Sequence, residues 1–545
     1  MNRPEQHPND EEQTRRVASL DLAPDELKEL ASAFHALGLE ALEGAEQTPV
    51  FPETSARLLA SLFGGPLPVE GAPAETLLEE CREVVRHSRR SNHPRMFGYV
   101  VSPAAPVAAL ASFLAAAVNQ NVTSWRSAPS ATTIEQTVVR WLAEMIGYVS
   151  SDASAGAGES ERESGRAEES ESGDDCGGLL TSGGSAANFT ALFIAQRARA
   201  AQRPDAPDIS RRGLWGAGAP MTVYASEHTH FSTAKAADVL GMGREQVRLV
   251  PVDGEFRLDV RALRERIEAD ARAGLDPFCV VANAGTVSTG AVDPLTEVAR
   301  VAREYGLWFH VDGAYGALAA SAPSRRRLFE GLTLADSVSL DPHKWLYTPV
   351  DCGCLLLRRP SSARAAFADA HANYVGVFER EEAESFAFWD YGLELSRPFR
   401  ALKVWAMLRY HGARRVAASI AEDCELAARL GEMVREAEDF ELLAPVTLGI
   451  CCFRYVPPDA RRELAEAGSD EEREAVERRL DELNARLMHS IQRGGVAYLS
   501  NATLRGRFAL RASITNFRTT RRDLAVTLDA VRRAARVETD AARPC

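Results

Sequence analysis

Between residues 177 and 358, short unbroken apolar runs alternate with helical stretches, and this alternation restricts the fold more than any other feature of the chain. TVYAS (222–226), QVRLVPV (246–252), FCVVAN (278–283), LWFHV (307–311) and SVSLD (337–341) read as strands without a polar face. A strand apolar on both sides must be covered on both sides, which points to a mainly parallel sheet with helices packed on each face. Helices are predicted at 260–273 and 294–305, the second opened by Asp293-Pro294 and closed by Gly306. CGCLLLR (352–358) follows a short turn and is expected to return antiparallel.

The flanks differ. Residues 1–16 read as a polar tail, and 25–42 and 73–88 as amphipathic helices with no core of their own, which must pack on another body such as a second subunit. Beyond Pro398 the chain is helix-rich (401–410, 414–437, 470–493), with strands near 448–455 and 507–514. The expected division is an N-terminal tail and helical dimerisation arm (1–105), a large sheet domain (106–396) and a small C-terminal α+β domain (397–545). A helix at 130–146 and a strand at 178–181 bracket residues 151–176. That segment has no Val, Ile, Leu or aromatic residue and sets nine acids against two arginines. It cannot bury enough apolar surface to offset the entropy of ordering, so a solvated, disordered insert is expected.

Composition removes several function classes. A net charge of −14 makes the chain a poor general ligand for nucleic acid or anionic membrane. Nine cysteines without a CxxC pair give neither a zinc signature nor a disulfide framework, and no metal site is expected. The Ala-rich window 100–118 carries Pro103 and Pro106 and reads as a core helix rather than a membrane span. The opening MNRPEQHPNDEEQTRR lacks the apolar stretch of a signal peptide, so a soluble cytoplasmic protein is expected.

In open α/β sheets ligands collect at the carboxyl ends of the strands. LWFHV runs into Asp312-Gly313-Ala314-Tyr315, SVSLD into Pro342-His343-Lys344-Trp345, and TVYAS into Glu227-His228-Thr229-His230. SGGSAANFTAL places Gly183, Gly184 and Ser185 before a helix beginning near Ala186. Singly, each is more often a cap, a surface charge or a plain turn. Together they supply what pyridoxal phosphate (PLP) requires: an amine (Lys344), a carboxylate for the ring nitrogen (Asp312) and a helix N-terminus for the phosphate, with Ser185 as an added donor. His230 is placed to stack on the ring, and His343 to reach phosphate or substrate.

HVDGAYG, SLDPHKW, TSGGSAAN and HFSTAKAADVLG resemble the PLP-dependent group II amino-acid decarboxylases, over about residues 93–405 and more weakly to the C-terminus. The resemblance implies the aspartate-aminotransferase-type PLP fold (fold type I) and a homodimer with active sites at the interface. It also implies decarboxylation of an L-amino acid to the amine. In that reading Lys344 is the Schiff-base lysine, Asp312 the ring-nitrogen acid and His230 the stacking histidine. Ser185 and Ala186 fall at phosphate contacts, Ala314 and His343 beside ring and phosphate, and Thr286 beneath the cofactor. Val287 stands where many relatives have a second Thr. Tyr374, in the polar stretch 367–385, aligns with the family's catalytic-loop tyrosine, the proton donor to the substrate α-carbon. Aldehyde-forming relatives commonly have Phe there, so Tyr favours amine formation.

For the substrate, Tyr99 and Ser396 fall at pocket positions, with a core aromatic as the alternative for Tyr99. Glutamate decarboxylases have Gln at the Tyr99 position, which argues against glutamate. Asn121 and Thr123 are more polar than in aromatic decarboxylases, and Val100 replaces an aromatic that relatives insert from the partner subunit. The balance leans to an aromatic amino acid, with histidine or a small polar or diamino acid as competitors. An aldehyde-forming decarboxylase, an aminotransferase and a non-catalytic dimeric scaffold are the rival functions. Arg397 is expected to be structural or to position its loop, with a surface ion pair as the alternative.

Overall fold

The computed structural model describes residues 20–148, 176–203, 209–214, 218–368 and 382–541. The polar tail 1–16, Tyr374 and the acidic insert apart from Cys176 therefore lie outside the described residues. Two compact units are present, Met1–Thr48 with Pro52–Arg89, and Pro49–Phe51 with Arg90–Cys545.

The first unit holds helices α1 (Pro24–Leu42), α2 (Ala56–Phe63) and α3 (Ala74–His87). Pro24 opens α1 with Asp25 and Glu26 in its first turn, where they complement the helix dipole. The Ser55 hydroxyl caps α2 by accepting from Leu58 N at 3.1 Å. No residue of α2 or α3 is buried, and Leu27, Phe34, Leu62, Phe63, Leu77 and Val84 are exposed. As the amphipathic pattern predicts, this unit has almost no interior of its own.

The second unit is built on a seven-stranded sheet: β1 (Gly177–Thr181), β2 (Met221–Ser226), β3 (Val247–Val250), β4 (Asp276–Asn283), β5 (Trp308–Asp312), β6 (Ser337–Leu340) and β7 (Gly353–Leu357). Its order is β1-β7-β6-β5-β4-β2-β3. β3, β2, β4, β5 and β6 pair in parallel, while β7 runs antiparallel to both β6 and β1. Six strands thus share one direction. Residues of β2, β5, β6 and β7 are buried throughout, as continuous apolar runs require. This is the large, mostly parallel α/β sheet of the expected fold class.

Three further helices frame the site: α4 (Pro106–Val118), α5 (Pro129–Ile146) and α6 (Gly184–Ala201). The window 100–118 is a helix from Pro106, yet it is not wholly internal. Ala108 and Ala111 face inward, whereas Leu110, Phe113, Leu114 and Val118 are exposed. An Ala-rich helix has low contrast between its faces, so total hydropathy hid a split between small residues packed on helix Ala401–His411 and large ones left outside.

A second, antiparallel sheet of order β10-β11-β9-β8 comprises β8 (Phe440–Leu442), β9 (Ile450–Tyr455), β10 (Ser500–Leu504) and β11 (Arg507–Ser513). Helices Ala413–Glu436, Asp470–Gly494 and Arg521–Ala541 accompany it. β9 and β11 match the expected strands. β8 and β10 escaped the sequence reading because one has three residues and the other, SNATL, is mostly polar at an edge.

Arg397 is not on the surface; it is 2% exposed. Its guanidinium pairs with the buried Glu135 of α5, donates to Leu180 O of β1 at 2.8 Å and to Val122 O at 3.0 Å, and lies 4.0 Å from the Phe388 ring centroid. Glu135 in turn accepts from Leu180 N at 2.9 Å. Removing one partner of a buried pair strands the other charge, so Arg397→Ala is expected to cost about 3–5 kcal/mol. The check is the urea unfolding midpoint of the variant. The double replacement Glu135→Leu with Arg397→Met is expected to cost less than either single change.

Candidate active site

Because β1, β2, β4, β5 and β6 point the same way, the residues that follow them gather at one edge of the sheet. There they surround a cavity of about 670 Å³ lined by Tyr99, Ser185, Ala186, His230, Asp312, Ala314, His343 and Lys344, among others. These eight are residues singled out from the sequence, drawn from positions 99 to 344. The cavity lies within the size range of small-molecule sites.

Lys344 sits in the one-turn helix Pro342–Trp345 that directly follows β6. Its Nζ lies 2.8 Å from Asp341 Oδ2, and His343 Nε2 is 3.7 Å from the same oxygen. The His343 Nδ1–H donates to Cys352 O at 2.6 Å, and burial lowers the pKa of this imidazole. Trp345 anchors the turn from below: it stacks on Tyr315 at 4.8 Å and donates to Asp423 Oδ2 at 2.9 Å. Burial pushes the Asp423 carboxyl up to about 7.

Asp312 ends β5. It accepts from Asn188 Nδ2 at 2.7 Å, from Ala314 N at 3.1 Å and from Ser339 Oγ at 3.3 Å. His230 follows β2; its Nδ1 is 2.8 Å from Ser232 Oγ, and burial lowers its pKa. Gly183 caps α6, the helix leaving β1. Ala186 N–H and Ala187 N–H are taken by Gly183 O at 2.9 and 3.0 Å, so the first-turn donors left for an anion are those of Gly184 and Ser185. The backbone comes close here. A Cβ on Gly184 would stand 2.6 Å from Ala314 Cβ and 3.0 Å from Asp341 Oδ2, so the glycine keeps the helix end within reach of the other groups.

Other expected positions fall differently. Thr286 is buried, shares a hydrogen bond with Thr289 Oγ1 at 3.0 Å and does not line the cavity; its neighbours Gly285, Val287 and Ser288 do. Its hydroxyl supports the loop from inside. Ser396 is exposed and outside the lining. Asn121 and Thr123 are also outside it: Asn121 Oδ1 accepts from Arg397 N at 2.9 Å, and Thr123 Oγ1 pairs with Ser127 Oγ at 2.8 Å. Tyr374 lies beyond the described residues.

The lining also includes Asn188, Ser232, Asp341, Ser500 and Arg511, to which the sequence reading gave no role. Asn188 and Asp341 stood inside the quoted phrases TSGGSAAN and SLDPHKW. The signal for Arg511 was a cation inside the apolar strand RFALRAS. Its guanidinium is buried, donates to Tyr99 O at 3.0 Å and Ser500 Oγ at 3.1 Å, and leaves Nη2 unpartnered. It thereby holds Tyr99, whose φ of +61° is the left-handed region that L-residues seldom occupy.

The arrangement fits PLP. An amine, a carboxylate and a glycine-lined helix N-terminus converge on one cavity. Within reach are two orphaned buried atoms, Asp341 Oδ1 and Arg511 Nη2, that await a polar partner.

Comparison with known proteins agrees. The model of the pyridoxal-dependent decarboxylase conserved domain matches residues 58–456. The aromatic-L-amino-acid decarboxylase of Bacillus atrophaeus is 31% identical, across 93% of this chain and 95% of the relative. The phenylacetaldehyde synthase of Petunia hybrida is 29% identical, across 87% of each. Oryza sativa TDC, solved with PLP and tryptamine, superposes with a TM-score of 0.82 at 26% identity, covering 96% of this chain and all of the other. The chain belongs to the pyridoxal-dependent decarboxylases and is a PLP-dependent carboxy-lyase.

Proposed function

We propose that this enzyme decarboxylates an aromatic L-amino acid to the corresponding amine. The observation that carries the reading is the convergence of Lys344, Asp312, His230 and the N-terminus of α6 on one cavity. PLP held there would supply an electron sink for the pair left on the substrate α-carbon when CO₂ departs.

The chain's own groups divide the remaining work. Lys344 Nζ supplies the amine that carries the cofactor between turnovers, and Asp341 beside it fixes its approach. Asp312 would hold the ring nitrogen and favour its protonated form. Gly184 N–H, Ser185 N–H and the Ser185 hydroxyl take the phosphate at the positive end of α6. His230, which lines the cavity, would contact the cofactor ring. Arg511 Nη2, buried and unpartnered, is the donor available to a substrate carboxylate. A carboxylate gripped there would be oriented for its loss as CO₂. Tyr374 Oη hands a proton to the substrate α-carbon.

The aromatic preference is supported by the apolar lining of Tyr99, Val100, Val287 and Ala502 and by the aromatic pairing of Tyr99 with Tyr498 at 5.9 Å. The 31% identical aromatic-L-amino-acid decarboxylase supports it further. The test is CO₂ release from a panel of amino acids. Phenylalanine, tyrosine or tryptophan is expected to lead histidine, glutamate and diamino acids, and Lys344→Ala is expected to release none. Keto acid without CO₂ would refute the reaction, and a lead by a polar substrate would refute the preference.

Aldehyde formation is the second reading, favoured by the relative named phenylacetaldehyde synthase. Tyr374→Phe is expected to lower amine production by about 10²–10⁴-fold and to divert product to aldehyde in air. Amine at the wild-type rate would remove Tyr374 from proton transfer.

The functional particle is a homodimer. The exposed Leu110, Phe113, Leu114 and Val118 of α4 form an apolar stripe that a second copy would cover, and the N-terminal helices present similar faces. Phe113→Asp is expected to convert the dimer to monomer by analytical ultracentrifugation and to reduce activity in parallel.

A further inference from the structure

Asn188 lies in the second turn of α6, is buried, and makes three hydrogen bonds with one amide. Its Nδ2 donates to Asp312 Oδ2 at 2.7 Å and to Ser232 Oγ at 3.2 Å; its Oδ1 lies 3.0 Å from His310 Nε2. A carboxylate only accepts, so Asp312 determines which end of the amide is nitrogen. Asn188 Oδ1 then accepts, and His310 must donate from Nε2.

His310 is fully buried on β5, and burial lowers its pKa to about 4, so the ring is neutral with a single N–H. With Nε2 protonated, Nδ1 accepts from the Ser337 hydroxyl at 2.9 Å, and that oxygen receives the Trp308 Nε1–H at 2.9 Å. Every donor in the series points the same way: Trp308 to Ser337, to His310, to Asn188, to Asp312. Aligned hydrogen bonds polarise one another in a low-dielectric interior.

The second N–H of the same amide leads to the other functional group. Ser232 Oγ accepts from Asn188 and turns its own hydrogen to His230 Nδ1 at 2.8 Å; Ser232 N–H also donates to Nδ1, at 3.2 Å. His230 Nδ1 is therefore an acceptor, and the neutral ring carries its hydrogen on Nε2.

We propose that Asn188 is a positioning residue that sets two groups through one amide, fixing Asp312 for the cofactor's ring nitrogen and, through Ser232, the tautomer of His230. This rests on the reading that Asp312 meets that nitrogen. Replacing Asn188 leaves the His310 Nε2–H without its acceptor and removes the shortest bond at Asp312.

The experiment measures cofactor affinity of the cofactor-free enzyme, with no turnover, for PLP and for its analogue with carbon in place of the ring nitrogen. Wild type is expected to prefer PLP. Asn188→Leu is expected to weaken PLP binding about tenfold, the loss of a hydrogen bond to a charged group, while the analogue stays within about twofold. Asn188→Ser, with a small donor, is expected to recover part of the preference and covers the case in which leucine does not fold. Equal losses for both cofactors would reduce Asn188 to a structural role, and unchanged affinities would give it none; either overturns the proposal. A wild type without preference would overturn the Asp312 assignment as well. The CO₂ assay would still report independently on the reaction.

Discussion

A single buried guanidinium decides where the cavity can form. β1 is an edge strand that pairs only with β7, yet it leads into the turn and helix that close one side of the site. Edge strands are held on one side alone and shift easily. Arg397 and Glu135 supply the missing restraint by bonding both the N–H and the carbonyl of Leu180, one residue from the strand's end. The desolvation cost of this pair is offset by hydrogen bonds to Leu180 and Val122 and by contact with the Phe388 ring. The geometry at Gly184 depends on that restraint, since helix, Ala314 and Asp341 leave no room for a side chain there.

The same edge concentrates charge. Lys344 and Arg511 bring positive charge, Asp312 and Asp341 negative, and all four line one cavity. Their partners divide them by task. Lys344 lies against an acid, whereas Arg511 is held by neutral oxygens and is available to an incoming anion. Burial lowers the pKa of the histidines lining the cavity, which favours their role as hydrogen-bonding groups over that of fixed charges.

The large sheet was legible because continuous apolar strands have few alternative folds, and the direction of β7 followed from the short turn before it. The strand-end residues Lys344, Asp312, His230 and Ser185 could be named because parallel strands bring their carboxyl ends together. Residues that act through others were not legible. Nothing in a linear string shows that Asn188 touches both Asp312 and Ser232, or that Arg511 returns to a cavity lined by residues from Tyr99 to Lys344. The structural role expected of Arg397 is the one it plays, but its partner was not legible: Glu135, on a distant helix, comes beside it only in the fold. Thr286 and Asn121 show that polar residues near a site can be engaged by its scaffolding.

The parallel strands also give the domain two unlike ends. Chemistry occupies the end where strands finish, whereas α5 hands over to β1 at the end where strands begin, between Ile146 and Gly177. For the experimenter the start of β1, at Gly177, marks the pole opposite the chemistry, where a fluorophore, an affinity handle or a surface tether would stand clear of the cavity.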